Sequence, residues 1–122
     1  MKTDTSSLEI IKSTTSKLDQ TKLDKLVFGE IFTDHMLECD YENEKGNTPR
    51  LKPKAPMELM PPAKIFLKGQ AVFKGRKYLK DEEDKIWVFR PEENFKGINE
   101  PGERFVIPDF QRSNLFNGLG EL

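Results

Sequence analysis

A chain of 122 residues is long enough for one domain with a modest core. Twenty basic residues against twenty-one acidic ones leave a net charge of −1, so no global field draws it to nucleic acid or an anionic membrane. One cysteine excludes an internal disulfide and fits a reducing cytosol, and no apolar run reaches the length of a secretory signal or a membrane span, so a soluble, cytoplasmic protein is expected.

Residues 1–7 are polar and expected to fray, and Leu8-Glu9-Ile10-Ile11 has the makings of one short strand. Residues 13–22 are rich in Ser, Thr and Lys with little periodicity, which predicts a linker; the organised domain is expected over 26–122, after an N-terminal segment and linker of 1–25. Leu26-Val27-Phe28-Gly29 is an apolar run closed by a glycine. Over 32–41, Met36, Glu38 and Asp40 alternate with Leu37, Cys39 and Tyr41, the period of a strand with one face largely apolar. Turn chemistry follows at 43–47, and 48–51 can return as a hairpin partner. Prolines 53, 56, 61 and 62 exclude a central strand or a long helix between them.

Apolar spacing over 63–74 predicts a short helix, weakened at Gly69 and ended by Gly75. The clearest signal is a hairpin: alternation through 76–79 and 85–89, separated by Asp81-Glu82-Glu83-Asp84. Pro91 then suits the first turn of a helix, where Glu92 and Glu93 complement the positive end of the dipole. Gly97, Pro101 and Gly102 interrupt that helix, which predicts a stop or a kink near Asn99. Trp87, Phe89, Phe73 and Phe105 are the expected core, with Val72 and Ile107 at its edge. Leu115, Phe116, Leu119 and Leu122 have helical spacing within 112–122.

Candidate chemistry is sparse. His35 is the only histidine; Asp34 is adjacent in sequence, but strand neighbours point to opposite faces, so a structural histidine is expected. Cys39 reads as a small core residue, since one Cys and one His cannot close a zinc site. The basic middle of the chain, Arg50 to Lys77, reads as a solvated face, and Gly69–Gly75 lacks phosphate-loop spacing.

Gly69-Gln70-Ala71-Val72-Phe73-Lys74-Gly75, followed by Trp87-Val88-Phe89-Arg90-Pro91-Glu92-Glu93-Asn94, resembles the small domain of branched-chain amino-acid aminotransferases, pyridoxal-phosphate enzymes of fold type IV. Leu26-Val27-Phe28-Gly29 and Phe32-Thr33-Asp34-His35-Met36 resemble that family's opening segment at the right distance. The match runs from Leu8 to the end, and the chain stops where the family's large domain would begin. The resemblance implies an α+β fold, a small, mainly antiparallel sheet with two or three helices on one face. It implies transfer of the amino group of leucine, isoleucine or valine to 2-oxoglutarate through pyridoxal phosphate, in a homodimer, with no nucleic acid or membrane partner.

By the same resemblance Phe28 and Phe73 line the hydrophobic substrate pocket, and the arginine that holds the cofactor phosphate falls on Gly97. The family's His-Tyr-Gly reads Leu67-Lys68-Gly69 here, and its Phe-Glu-Gly reads Phe73-Lys74-Gly75. Arg90 belongs to the Phe-Arg-Pro motif and does not match the anchor. No catalytic residue is carried over, because the family's Schiff-base lysine and the acidic partner of the pyridine nitrogen lie in its large domain. The chain alone is expected to be inactive and not to retain pyridoxal phosphate. A non-enzymatic relic or a binding or dimerisation module derived from that domain is the alternative, and gene decay and deliberate alteration both remain open as causes of the changed positions.

Overall fold

In the computed structural model, residues 8–109, Ser113 and Gly118 are described. They form an α+β fold whose strands make three small sheets, and the chain divides into two compact units, Met1–Glu58 with Gln111–Leu122 and Leu59–Phe110. The helical spacing expected over 112–122 lies outside the described residues, apart from those two positions.

The first unit is built on a three-stranded sheet. Strand β2 (His35–Glu38) pairs antiparallel with β5 (Arg50–Pro53), and β1 (Glu9–Ile10) adds to the other edge of β5 in parallel. Ile10, Leu51 and Leu37 stand opposite one another in register, so they share one face. Leu51 in the middle of that row is 2% exposed and is the buried apolar centre of the described residues. On the neighbouring face Glu38 opposes Arg50 and ion-pairs with it at 3.7 Å. Lys52, diagonal to Glu38, donates to the same carboxylate, and Arg50 reaches Asp40 at 2.7 Å. Lys52 is the main reason why the Glu38 carboxyl sits below its ordinary range.

Between these strands, β3 (Tyr41–Glu42) and β4 (Lys45–Gly46) form a minimal hairpin. Asn43 and Glu44 close it with φ of 51° and 62°, the two left-handed residues that a type I′ turn requires. The expected strand over 32–41 is therefore cut in two after Glu38. Cys39 follows the cut, half-buried, with its thiol 3.2 Å from the Asn47 carbonyl. Burial, then the Asp40 carboxylate, pushes that thiol's pKa up, which suits an inert side chain.

Pro53 corrects one expectation: it ends β5, the central strand. The position tolerates it because β1 spans only Arg50 and Leu51, so Pro53 has a neighbour on the β2 side alone.

In the second unit, helix α1 (Lys64–Lys68) is ended by Gly69, not Gly75. Gly69 has φ of 60°, its N–H donates to the Ile65 carbonyl, and that of Gln70 donates to Lys64, the left-handed glycine closure of a helix. Strands β6 (Tyr78–Lys80) and β7 (Ile86–Val88) form the expected hairpin. Its loop is a turn from Asp81 to Asp84, with Asp84 left-handed at φ 64° and the Asp81 N–H bonded to the Lys85 carbonyl. The Asp81 carboxylate accepts from the Glu83 and Lys85 backbone, both at 2.9 Å, and from the Trp87 indole at 2.6 Å.

Helix α2 runs unbroken from Pro91 to Arg104, so it does not stop near Asn99. Pro101 lies in its last turn, where a missing N–H removes one intrahelical bond. The glycines lie on its protected side: Gly97 is half-buried and Gly102 is buried, with the Ile107 N–H donating to the Gly102 carbonyl at 2.9 Å. Tertiary packing thus overrides the poor propensity of both positions.

The aromatic core expected in this unit is not formed. Trp87 is 60% exposed, Phe89 80%, Phe73 78% and Phe105 48%. Alternation marks which face of a hairpin is apolar, but among the described residues β6 and β7 have no third strand, and the aromatic side chains stay on the surface.

Candidate functional site

Phe28 sits in a turn over 28–30 that the Glu30 N–H closes onto the Val27 carbonyl at 3.2 Å. Gly29 takes φ of 83°, as the third residue of a type II turn must, and this leaves Phe28 projecting, 89% exposed. Phe73 belongs to the other unit, in the irregular stretch between α1 and β6, and is also exposed. Each aromatic is therefore presented on the surface of its own unit.

Within the second unit, the altered positions Lys74 and Gly97 come together. A Cβ at position 97 would lie 2.9 Å from Lys74 Nζ and 3.3 Å from its Cε. The space that a side chain at 97 would use is filled by the lysine from the neighbouring segment. A flexible ammonium cannot reproduce the planar, bidentate fork of an arginine. The residues present here therefore do not fit the phosphate anchor that the resemblance places at Gly97. Lys68 lies in the last turn of α1, where a cation complements the helix dipole.

Arg76 corrects the reading of the basic middle as a purely solvated face. It is half-buried, and its Nη2 donates to the Pro91 carbonyl at 2.8 Å, tying the start of α2 to the hairpin segment. Arg90, immediately before Pro91, is left-handed at φ 45° and places its guanidinium 5.4 Å from the Phe89 ring centre. No sequence pattern signalled either role, since both depend on where the helix begins relative to the hairpin.

His35 and Asp34 do not act on each other as base and orienter. His35 Nε2 accepts the Ser13 N–H at 2.9 Å, which is the structural role expected of it, although its partner lies outside the strand. Asp34 accepts from the Ser16 hydroxyl at 2.7 Å and from the Lys17 N–H at 3.1 Å. The Ser16 bond, then the Lys17 bond, holds the Asp34 carboxyl below its ordinary range. Together these contacts pin the Ser/Thr/Lys-rich segment to the start of β2. Short 3-10 turns follow at Leu18–Gln20 and Leu23–Lys25, so the segment is more organised than a linker. Among the described residues, no group of His, Cys, Asp and Glu is arranged to hold a metal ion, and no helix is long and apolar enough to cross a membrane.

No protein-family profile matches the chain. Curated proteins do. Branched-chain-amino-acid aminotransferase 2 of Bacillus subtilis is 35% identical over 113 residues, which is 92% of this chain and 31% of that protein. The cytosolic branched-chain-amino-acid aminotransferase of Saccharomyces cerevisiae is 38% identical over 80% of this chain and 26% of its own length. A probable branched-chain-amino-acid aminotransferase of Staphylococcus aureus is 41% identical over 80% of this chain and 27% of its own. The chain thus spans less than a third of the length of the curated relatives it matches. It is a homologue of one part of the branched-chain-amino-acid aminotransferases.

Proposed function

We propose that this chain is the small-domain part of a branched-chain aminotransferase-like protein and that it contributes Phe28 and Phe73 to a hydrophobic substrate pocket. The reaction of the whole protein is amino transfer from leucine, isoleucine or valine to 2-oxoglutarate. The observation that carries this reading is the 35–41% identity to those aminotransferases over 80–92% of the chain. The surface exposure of Phe28 and Phe73 supports it, because an exposed aromatic ring still has apolar area that a bound hydrocarbon side chain can cover.

Alone, the chain is inactive and does not retain pyridoxal phosphate. Gly97 gives no side chain to the phosphate, and the resemblance places the lysine and acidic group that the cofactor needs in the family's large domain. Gly97 also favours the second reading, a dimerisation module that keeps the domain's surface without its chemistry.

A chimaera separates the two. This chain replaces the matching segment of the Bacillus subtilis enzyme, and leucine-dependent glutamate formation is followed with cofactor absorbance. The pocket reading expects measurable transamination that rises with Gly97→Arg in a Lys74→Glu background, and a raised KM for leucine on Phe28→Ala or Phe73→Ala. A folded, dimeric chimaera inert with every amino acid, with or without the arginine, supports the module.

A further inference from the structure

The segment over residues 13–25 and the chain leading into β2 enclose two clefts in the first unit that share a wall. Ser13, Thr15, Lys17, Ile31 and Phe32 line both. One cleft, of about 400 Å³, adds Leu18, Leu23 and Leu26. The other, of about 770 Å³, adds Lys22, Lys25 and Lys54. Neither Phe28 nor Phe73 lines them.

The two halves ask for different chemistry. Leu18, Leu23 and Leu26 are 63%, 58% and 56% exposed, so a hydrocarbon laid over them would remove substantial apolar surface from water. On the basic side, Lys22 and Lys25 make no ion pair among the described residues. Lys54 holds its Nζ 3.7 Å from the Phe32 ring centre, which fixes a cation beside a residue common to both clefts. Two carboxylates, Glu30 and Asp34, face four ammonium groups there, and Asp34 is already committed to Ser16 and Lys17. A wholly polar anion would leave the leucines wet, and an uncharged apolar molecule would leave the lysines unmatched.

We propose that this double cleft binds a small amphiphilic carboxylate, with its hydrocarbon over Leu18, Leu23 and Leu26 and its head group among Lys22, Lys25 and Lys54. The size of the paired clefts falls in the range of small-molecule sites, and their mixed lining supplies both burial and a few oriented charges.

The test titrates the full chain with octanoate and with 1-octanol, following backbone amide resonances. Octanoate is expected to give saturable shifts within residues 13–34 and at Lys54, and to bind at least about tenfold tighter than 1-octanol, the factor that one charge-assisted contact supplies. Added salt should narrow that difference. The triple variant Lys22→Gln, Lys25→Gln, Lys54→Gln should remove it while leaving the β2–β5 amide shifts in place. If the triple variant disturbs those shifts, the three single variants are read instead, and each should weaken octanoate more than 1-octanol. Equal binding of the two probes, shifts that do not saturate or that lie away from both residues 13–34 and Lys54, or a preference that survives the lysine changes would overturn the proposal.

Discussion

At Asp81 one carboxylate takes three donors, and the strongest influence on its acidity is the indole of Trp87. The bond lowers the carboxyl below its ordinary value of 3.8, so the folded hairpin prefers the ionised form. The resulting stabilisation is present above the unfolded value and is lost as the pH falls through the lower folded value. The indole N–H resonance of Trp87 should therefore shift as the pH drops below 3.8, and Asp81→Ala should make it insensitive to pH over that window. Because Trp87 is exposed, Trp87→Ala should cost about 1 kcal/mol, the scale of one hydrogen bond, and not the ~3–5 kcal/mol of a core aromatic. Urea unfolding measures that difference. Lys74 and Gly97 call for a double-mutant cycle. Gly97→Arg gains roughly 1 kcal/mol of helix propensity but puts a second cation against Lys74 Nζ. Its effect on the unfolding midpoint should be small or negative alone and clearly positive with Lys74→Glu, a coupling of about 1 kcal/mol. Independent effects would mean that the lysine has another resting place.

Helix α2 shows how an element's signals can be sound and its ending misread. Pro91 at the first position, acids at 92 and 93 and Arg104 in the last turn are all where a helix wants them. Read as propensity alone, Gly97, Pro101 and Gly102 forbid the second half. What that reading misses is position: Gly97 leaves room for the ammonium end of Lys74, Gly102 is buried beside the Ile107 turn, and the proline falls in the final turn. Pro101→Ser should therefore raise the unfolding midpoint slightly while leaving far-ultraviolet circular dichroism almost unchanged. A large gain in helicity would mean that the helix is frayed beyond Asn99. The β6–β7 hairpin was equally legible, because alternation and an acidic turn are local signals. The parallel pairing of Glu9 with Arg50, by contrast, has no local signature, and neither does the choice of Leu51 as the buried apolar side chain.

For the whole molecule, the unbalanced quantity is exposed apolar surface. Phe28, Met60, Phe66, Leu67, Phe73, Phe89 and Val106 are each more than 60% exposed. Isolated examples are ordinary, but Phe66 and Leu67 adjoin on one short helix, and such clusters mark surfaces that meet something. The chain should associate as its concentration rises, with light scattering giving a mass above its 14.1 kDa. Phe66→Ser with Leu67→Ser should lower that mass without changing the hairpin amide resonances. A strict monomer at high concentration would show that these side chains find enough cover within the chain. The same imbalance explains why the site was only partly legible. The family motifs name Phe28 and Phe73, but exposed aromatics do not reveal from sequence what they will face.

The β1–β5 pairing has a consequence for the order of events in folding. Glu9 and Arg50 lie about 40 residues apart, whereas β2 and β5 close over roughly 15, so loop closure favours the antiparallel pair first. The β1 edge then docks onto a strand already in place, through the Ile11 N–H to the Leu51 carbonyl and the Glu9 N–H to Pro49. In hydrogen exchange the amides of Glu9 and Ile11 should open early and independently, while those linking β2 to β5 should persist longest. The first strand in the sequence would then be the last to join its sheet and the first to leave it.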